Sequence, residues 1–458
     1  MDNTLLVRIY DVGFGDCIYV RVPDANNYYH ILIDCGSKGA EYTLRNALDN
    51  VRSMLDNQQA PKKRLDLLIV THPHNDHIKG FDPEWFKGIR IKHIWLSAFM
   101  KRDHPQAKQA HALQALADKA ARSLQARGLK LSASLDTLIV NTVWNDEAME
   151  TLRTTLPRAN RIKPLYVSRD IADPSATKKR LTAKQRREHK VSFKYGVTCF
   201  QDFQEKDTCL RILAPEWDID GYYLGKTSCD YLSLVNMYNS LLFEDMKTPG
   251  EKRPIPQPCN ISKSDFRRLH NRILYSALAF SREDHKLKNN TCVVFLLEWR
   301  GKRLLFTGDA EWTGRPVKKG RRNGCWDVML LMDKKHGHLG KPLDFLKVAH
   351  HGSVNGTPFI DKENAKQTIL DNILPRGRKA QIVVSTRAGE TRSVHKEVPY
   401  RLLMQNLGLR AVNAREYGDE RGILQPQRTD KENEPWIDIS VKPNPRWKLS
   451  DNSKKRKV

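Results

Sequence analysis

The chain reads as an α+β protein with one two-layered core carrying inserted segments, and three observations predict it. Short β-rich runs separated by turns fill the first hundred residues, helix and strand signals alternate between about 325 and 385, and no fixed-period repeat or long low-complexity linker divides the 458 residues. In order, Leu5 to Tyr10, Cys17 to Val22 and Tyr28 to Ile33 read as strands, and about Ala40 to Leu55 as a helix. Leu65 to Val70 is almost wholly apolar, as a strand buried on both faces must be, and it runs directly into Thr71, His72, Pro73 and His74. Ile91 to Leu96 supplies another strand. The spacing of Ala107, Ala110, Leu113, Leu116, Ala120 and Leu124 then predicts an amphipathic helix from about Asp103 to a stop at Gly128.

Helical and strand signals mix from about 145 to 208, and turns dominate from 221 to 290, where Pro254, Pro256 and Pro258 precede a helical segment from about Lys263 to Phe280. Between these stretches Cys209 to Ala214 is a strand. Thr291 to Glu298 and Arg303 to Thr307 make a hairpin whose second strand ends at Gly308 and Asp309. Helix, strand, helix and strand follow at Val328 to Met332, Phe345 to Val348, Ala365 to Ile373 and Gln381 to Ser385. The domain reading is one unit over 1–430 with insertions at about 100–208 and 221–290, then an extension over 431–458. The extension ends in Lys454, Lys455, Arg456 and Lys457, which read either as a nuclear-import-like signal or as a frayed basic tail.

Seventy-eight Lys and Arg against 53 Asp and Glu give a net charge of +25, at 40% apolar content. That combination excludes a disordered chain and points a positive field at polyanions, nucleic acid first, with solubility or a membrane surface as alternatives. No apolar run approaches a membrane span, and Asp2 stands where a signal peptide needs a basic start. The eight cysteines contain no CxxC pair, so buried thiols in a reducing cytoplasm are expected, not bridges or a cysteine zinc site.

The densest chemical signal is His72, His74, Asp76 and His77, directly after the apolar strand. His72 and His74 can converge from an extended strand end while Asp76 and His77, in the following turn, face a neighbouring ion, so these side chains suit two metals a few ångström apart. The alternative is a polar turn with incidental histidines. Asp309 and His350 each end a separate strand, which would deliver another carboxylate and imidazole to the same edge of the core.

On these residues the chain resembles the metallo-β-lactamase fold superfamily, whose HxHxDH signature stands here as His72, His74, Asp76 and His77. The resemblance continues in Leu32, Ile33, Asp34, Cys35, Gly36, in Thr307, Gly308, Asp309, and in Ala349, His350, His351, Gly352, Ser353. It looks most like the nuclease-type domain of bacterial DNA-uptake channel proteins, without the channel segment, and it spans about residues 5 to 400. The resemblance implies an αββα sandwich with its site at one sheet edge. It also implies that His72 and His74 bind a first divalent ion, that Asp76, His77 and His350 bind a second, and that Asp309 bridges the two. Asp34 would accept from a ligand histidine and fix its ring, or else be a simple turn acid before Gly36. His351 either approaches substrate phosphate or shapes the turn with Gly352. One departure concerns the first ion, to which many dinuclear relatives bring another histidine. Here the interval between the two motifs offers only His93, His104, His111, His189, His270 and His285, none in a recognisable motif. Ser393, Val394 and His395 look like the terminal histidine element of the same relatives, with His395 a site residue and general acid or else a surface histidine.

Histidine and carboxylate donors suit Zn²⁺ or Mn²⁺, with Asp76 and Asp309 at the reacting centre, a metal-activated water as nucleophile, and His395 or water protonating the leaving oxygen. Such a core opens lactams, thioesters or phosphodiesters, so charge has to choose among them. Three clusters could line a groove or be solvated surface: Lys178, Lys179, Arg180, Lys184, Arg186, Arg187 and Lys190; Lys318, Lys319, Arg321 and Arg322; and Arg376, Arg378 and Lys379. Trp312 and Trp326 stack bases or belong to the core. The expectation is a metal-dependent hydrolase that cleaves phosphodiester bonds of nucleic acid, DNA first, in the bacterial cytoplasm. Antiviral defence or DNA processing is its implied setting; the oligomeric state and any regulatory protein partner stay open. A small-molecule hydrolase such as a cyclic-nucleotide phosphodiesterase, or a noncatalytic nucleic-acid-binding protein with a degraded site, are the alternatives.

Overall fold

A computed structural model describes residues 3–25, 27–55, 63–108, 110–112, 114–115, 117, 147–169, 200, 202–225, 261–268, 271–272, 286–334, 337–359, 369–387, 398–418 and 422–445. Of the expected elements and charged groups, the run from Lys178 to Lys190, most of the helix to Gly128, His395 and the basic tail lie outside these residues.

Two sheets form the body. The first is built from β1 (Leu5–Tyr10), β2 (Cys17–Asp24), β3 (Asn27–Cys35), β4 (Lys63–Val70), β5 (Ile89–Ser97), β6 (Leu165–Val167) and β15 (Trp436–Val441), in the order β15-β1-β2-β3-β4-β5-β6. The second is built from β7 (Cys209–Ala214), β8 (Val294–Trp299), β9 (Lys302–Phe306), β10 (Phe345–Lys347), β11 (Gln381–Val384) and β14 (Gln427–Arg428), in the order β14-β11-β10-β9-β8-β7. A small ribbon pairs β12 (Arg415–Glu416) with β13 (Leu424–Gln425).

The two-residue period of β4 explains how one apolar run serves two layers. Leu67 and Ile69 enter the core between the sheets, where they join Phe295, Phe306, Phe345 and Val383 of the second sheet. Leu68 and Val70 point the other way, against Leu44, Leu48 and Val51 of helix α1 (Glu41–Leu55). On the far side of the second sheet, the helices Cys325–Asp333, Ile369–Ile373 and Arg401–Gly408 cover Leu296, Leu305, Leu346 and Ile382. Helix, sheet, sheet and helix layers make the expected αββα sandwich. Among the described residues no helix is long and apolar enough to cross a membrane.

Two expectations are corrected. The division at residue 430 cuts through the fold, because β15 pairs antiparallel with β1 along its whole length, from Leu5↔Val441 to Tyr10↔Trp436. Its alternating residues Ile437, Ile439 and Val441 close the edge of the inter-sheet core. The second correction concerns the cysteines: Cys17, Cys35, Cys292 and Cys325 are buried free thiols, but Cys209 is disulfide-bonded. It opens β7, the edge strand of its sheet, against which the chain folds back through the bridge of Phe200 to Leu210, a proximity that spacing along the sequence does not reveal.

Candidate metal centre

The site gathers at the ends of parallel strands. Asp34 is the penultimate residue of β3, β4 runs into His72 and the short helix α2 (Asn75–Ile78), β9 runs into Asp309, and β10 runs into His350 and His351. Backbones approach closely here: a Cβ on Gly36 would stand 2.2 Å from the His77 nitrogen, so the end of β3 can press against α2 only as glycine. Asp34, His350 and His351 all hold left-handed backbone, with φ of 54°, 49° and 52°. Non-glycine residues take that conformation at a cost, and such positions cluster where side chains must be aimed.

Three histidines are oriented in the same way. Each spends Nδ1 on an oxygen and presents Nε2 to the centre. His77 Nδ1 is 2.8 Å from Asp34 Oδ2, His351 Nδ1 is 3.0 Å from the Ser385 carbonyl, and His72 Nδ1 is 3.0 Å from Thr71 Oγ1. Asp34 is itself fixed, accepting from the Thr71 N–H and from Thr71 Oγ1 at 2.7 Å each. Opposite them sits Asp309, whose Oδ1 lies 3.2 Å from His77 Nε2 and 3.7 Å from His351 Nε2, and whose Oδ2 lies 3.7 Å from His72 Nε2. Asp76 Oδ2 completes that side, 3.6 Å from His351 Nε2.

Donor atoms thus fall into two adjoining groups that share Asp309. One is His72, His74 and Asp309; the other is Asp76, His77, Asp309 and His351, every member buried. His77 Nε2, His351 Nε2 and Asp309 Oδ1 are buried with no hydrogen-bond partner, although they converge. Buried polar atoms are nearly always satisfied, so three orphans aimed at one point fit a cation better than a packed core. The donor set of imidazole and carboxylate suits Zn²⁺ or Mn²⁺.

The carboxylates make the pocket strongly negative. Burial opposes the charge on His77, yet Asp309 and Asp34 on either side hold its pKa well above the ordinary value. Burial likewise opposes ionisation of Asp309 and Asp76. His77 and His351 nonetheless hold Asp309 well below the usual carboxylate range, as Lys38 and His351 do for Asp76. His72 is driven well below its ordinary value by burial and by His77, which leaves it neutral, the form that ligates.

Of the residues singled out in the sequence, His72, His74, Asp76, His77 and Asp309 meet here, with Asp34 on the outer side of His77. The adjacent histidines exchange places relative to expectation. His351 stands in the second group, while His350 lies outside both, with Nε2 3.9 Å from Asp309 Oδ2 and 3.4 Å from Asn289 Nδ2, and Nδ1 3.7 Å from Glu311 Oε1. The left-handed pair at His350 and His351 turns the second imidazole inward to Ser385 and the first toward the opening, which spacing alone does not disclose.

The basic clusters fare unevenly. Lys318, Lys319 and Arg321 are exposed, but Arg322 is drawn back, its Nε donating to the Leu224 carbonyl at 3.1 Å. Arg376, Arg378 and Lys379 are exposed too. Trp326 is core: it is wholly buried and its indole N–H donates to the Gly356 carbonyl at 2.9 Å, which removes it as a base-stacking surface. Lys178, Lys179, Arg180, Arg186, Arg187 and His395 are outside the described residues.

Sequence reasoning missed the layer beneath the ligands. Lys347 is buried and pairs with Asp16, which also accepts from Ser385 Oγ and lies 3.8 Å from His77 Nδ1. The signal was available, a lysine inside the apolar strand Phe345–Val348. Lys38, 2.7 Å from Asp76, carried no motif at all.

An αββα sandwich with two joined His/Asp groups at its strand ends supports a metal-dependent hydrolase. Residues 10–124, which carry β3, β4 and the HxHxDH turn, match the family model described as Metallo-beta-lactamase superfamily, and that match places this segment in the superfamily. No curated protein matches the chain.

Proposed function

We propose that the protein hydrolyses phosphodiester bonds of nucleic acid, DNA first, at a dinuclear centre. The observation that carries the reading is Asp309, a buried carboxylate whose two oxygens face two different histidine groups. In this reading His72, His74 and Asp309 hold one ion and Asp76, His77, Asp309 and His351 hold the other. Such ions, when bound, lower the pKa of a water and neutralise charge growing on phosphoryl oxygens. The chain's own residues do the rest. Asp34 and the Ser385 carbonyl keep His77 and His351 in the tautomer that presents Nε2, and Thr71 does the same for His72. Asp16, paired with Lys347, places a buried carboxylate oxygen 3.8 Å from His77 Nδ1. His350, with a side chain 25% exposed and Glu311 beside its Nδ1, is the imidazole on the solvent side of Asp309; burial holds its pKa below the ordinary value, so it meets substrate as a neutral hydrogen-bond partner and water protonates the leaving oxygen.

Phosphodiesters are favoured over neutral substrates by the net charge of +25 and by the exposed Lys318, Lys319 and Arg321, which the chain reaches shortly after Asp309. Purified protein supplied with Mn²⁺ or Zn²⁺ should cleave linear or circular DNA, beside RNA and cyclic nucleotides as comparison substrates. Turnover of cyclic nucleotides alone would move the reading to a small-molecule phosphodiesterase. Bound nucleic acid with no turnover and no bound metal would move it to a noncatalytic binder.

A further inference from the structure

One cation at the centre has no part in the ligand set. Lys38 follows β3 through Gly36 and Ser37, and its backbone is laced to the loop before β2. The Lys38 N–H donates to the Phe14 carbonyl at 2.8 Å, the Gly36 N–H to the Asp16 carbonyl at 2.9 Å, and Ser37 Oγ to the Val12 carbonyl. From this fixed base the side chain crosses Phe14, with Nζ 4.4 Å from the ring centroid, and ends 2.7 Å from Asp76 Oδ2. Phe14 in turn packs on His351, their ring centroids 4.3 Å apart. Lys38 is 48% exposed and Asp76 5%, so the ammonium marks the place where the buried centre meets solvent.

The charges explain what such a lysine is for. Asp16, Asp34, Asp76, Asp309 and Glu311 would be balanced by two divalent ions and the buried Lys347, so Lys38 is not needed to neutralise a loaded centre. It leaves the mouth positive. A neutral lactam or ester gains little from an ammonium there, whereas a singly charged phosphodiester gains a charge-assisted hydrogen bond. A lysine on a flexible stem, held over an aromatic face, also suits an oxygen that moves as the phosphorus changes geometry.

We infer that Lys38 is the specificity-determining contact of this centre, its ammonium taking a non-bridging oxygen of the scissile phosphodiester; this rests on the phosphodiesterase reading above. The test uses full-length protein reconstituted with Mn²⁺, as parent, Lys38→Met and Lys38→Arg. Three quantities are measured: bound metal, binding of inorganic phosphate by calorimetry, and hydrolysis of bis(4-nitrophenyl) phosphate. Lys38→Met should keep its metal, bind phosphate about 10-fold more weakly and lose about 10- to 100-fold in kcat/KM, mostly through KM, with Lys38→Arg recovering most of both. Equal phosphate affinity in parent and Lys38→Met, at equal metal content, overturns the inference. So does metal loss in Lys38→Met, which would make Lys38 a support for Asp76 only. If the parent hydrolyses no phosphodiester, the functional reading falls, while the phosphate titration still decides the role of Lys38.

Discussion

The two ion-binding groups share Asp309 but are held very differently. In the group formed by Asp76, His77, Asp309 and His351, both imidazoles and Asp76 have outer partners. Asp34 fixes His77, Ser385 fixes His351, and the Asp76 carbonyl accepts from the Asp16 N–H at 2.9 Å. In the other group His72 is anchored through Thr71. His72 Nε2 and His74 Nδ1 lie 2.9 Å apart, each serving as the other's neighbour. Outer-shell partners fix ring orientation and raise ligand basicity, so the group with four donors, braced at both of its imidazoles, is expected to fill first. Among the described residues no further histidine joins His72 and His74, so that group rests on those two imidazoles and Asp309.

Removing the shared ligand has the largest consequence. Asp309→Ala should empty both positions and lower turnover by at least about 10³-fold, since each ion loses a carboxylate and the nearby imidazoles lose their counter-charge. Elemental analysis beside a nuclease assay checks it, and undiminished cleavage by the variant would dispose of a shared centre. Next, His351→Ala and His74→Ala should separate the groups. A metal titration of the parent should show two steps, with the tighter one lost in His351→Ala and the weaker one in His74→Ala. The reverse pattern would mean that outer bracing does not set the order of filling. A smaller effect is expected for Asp34→Asn, which keeps the shape but gives up the carboxylate that accepts from His77. Affinity of the braced position should fall about 10- to 100-fold while the other step of the titration stays in place. A uniform loss at both steps would assign Asp34 to folding.

Most of the architecture could be read from hydrophobic period. The runs Leu5 to Tyr10, Leu65 to Val70 and Phe345 to Val348 are strands because their alternate side chains must face either a second sheet or a helix layer, and that demand is local. β15 was missed although Ile437, Ile439 and Val441 alternate with outward residues as a half-buried strand does, because its partner β1 lies at the other end of the chain. The ligand residues after β4 were legible because imidazoles and a carboxylate packed so densely at the end of a buried strand would repel or go unsatisfied without a cation between them. The choice between His350 and His351 was not, since it is decided by two left-handed backbone angles. Lys38 and Asp16 were hidden for a similar reason: each gains meaning only from a neighbour brought in by the fold.

The smallest predicted effect tests whether the centre and the basic surface act independently. Lys318 and Lys319 are exposed, and Lys319 Nζ lies 3.4 Å from Asp218 Oδ2. An exposed pair of that kind contributes little, so a phosphate can displace it at small cost. Arg322 differs, because its bond to the Leu224 carbonyl ties the loop to its neighbour and its replacement would disturb structure. Reversing Lys318 and Lys319 to Glu should therefore weaken DNA binding and reduce the slope of log affinity against log salt by about 1 to 2, with both metal steps unchanged. Equal slopes in variant and parent would remove these two lysines from the polynucleotide path. A metal step that moved with them would show that surface charge reaches the centre, and the difference between the two ion groups could no longer be assigned to their outer partners alone.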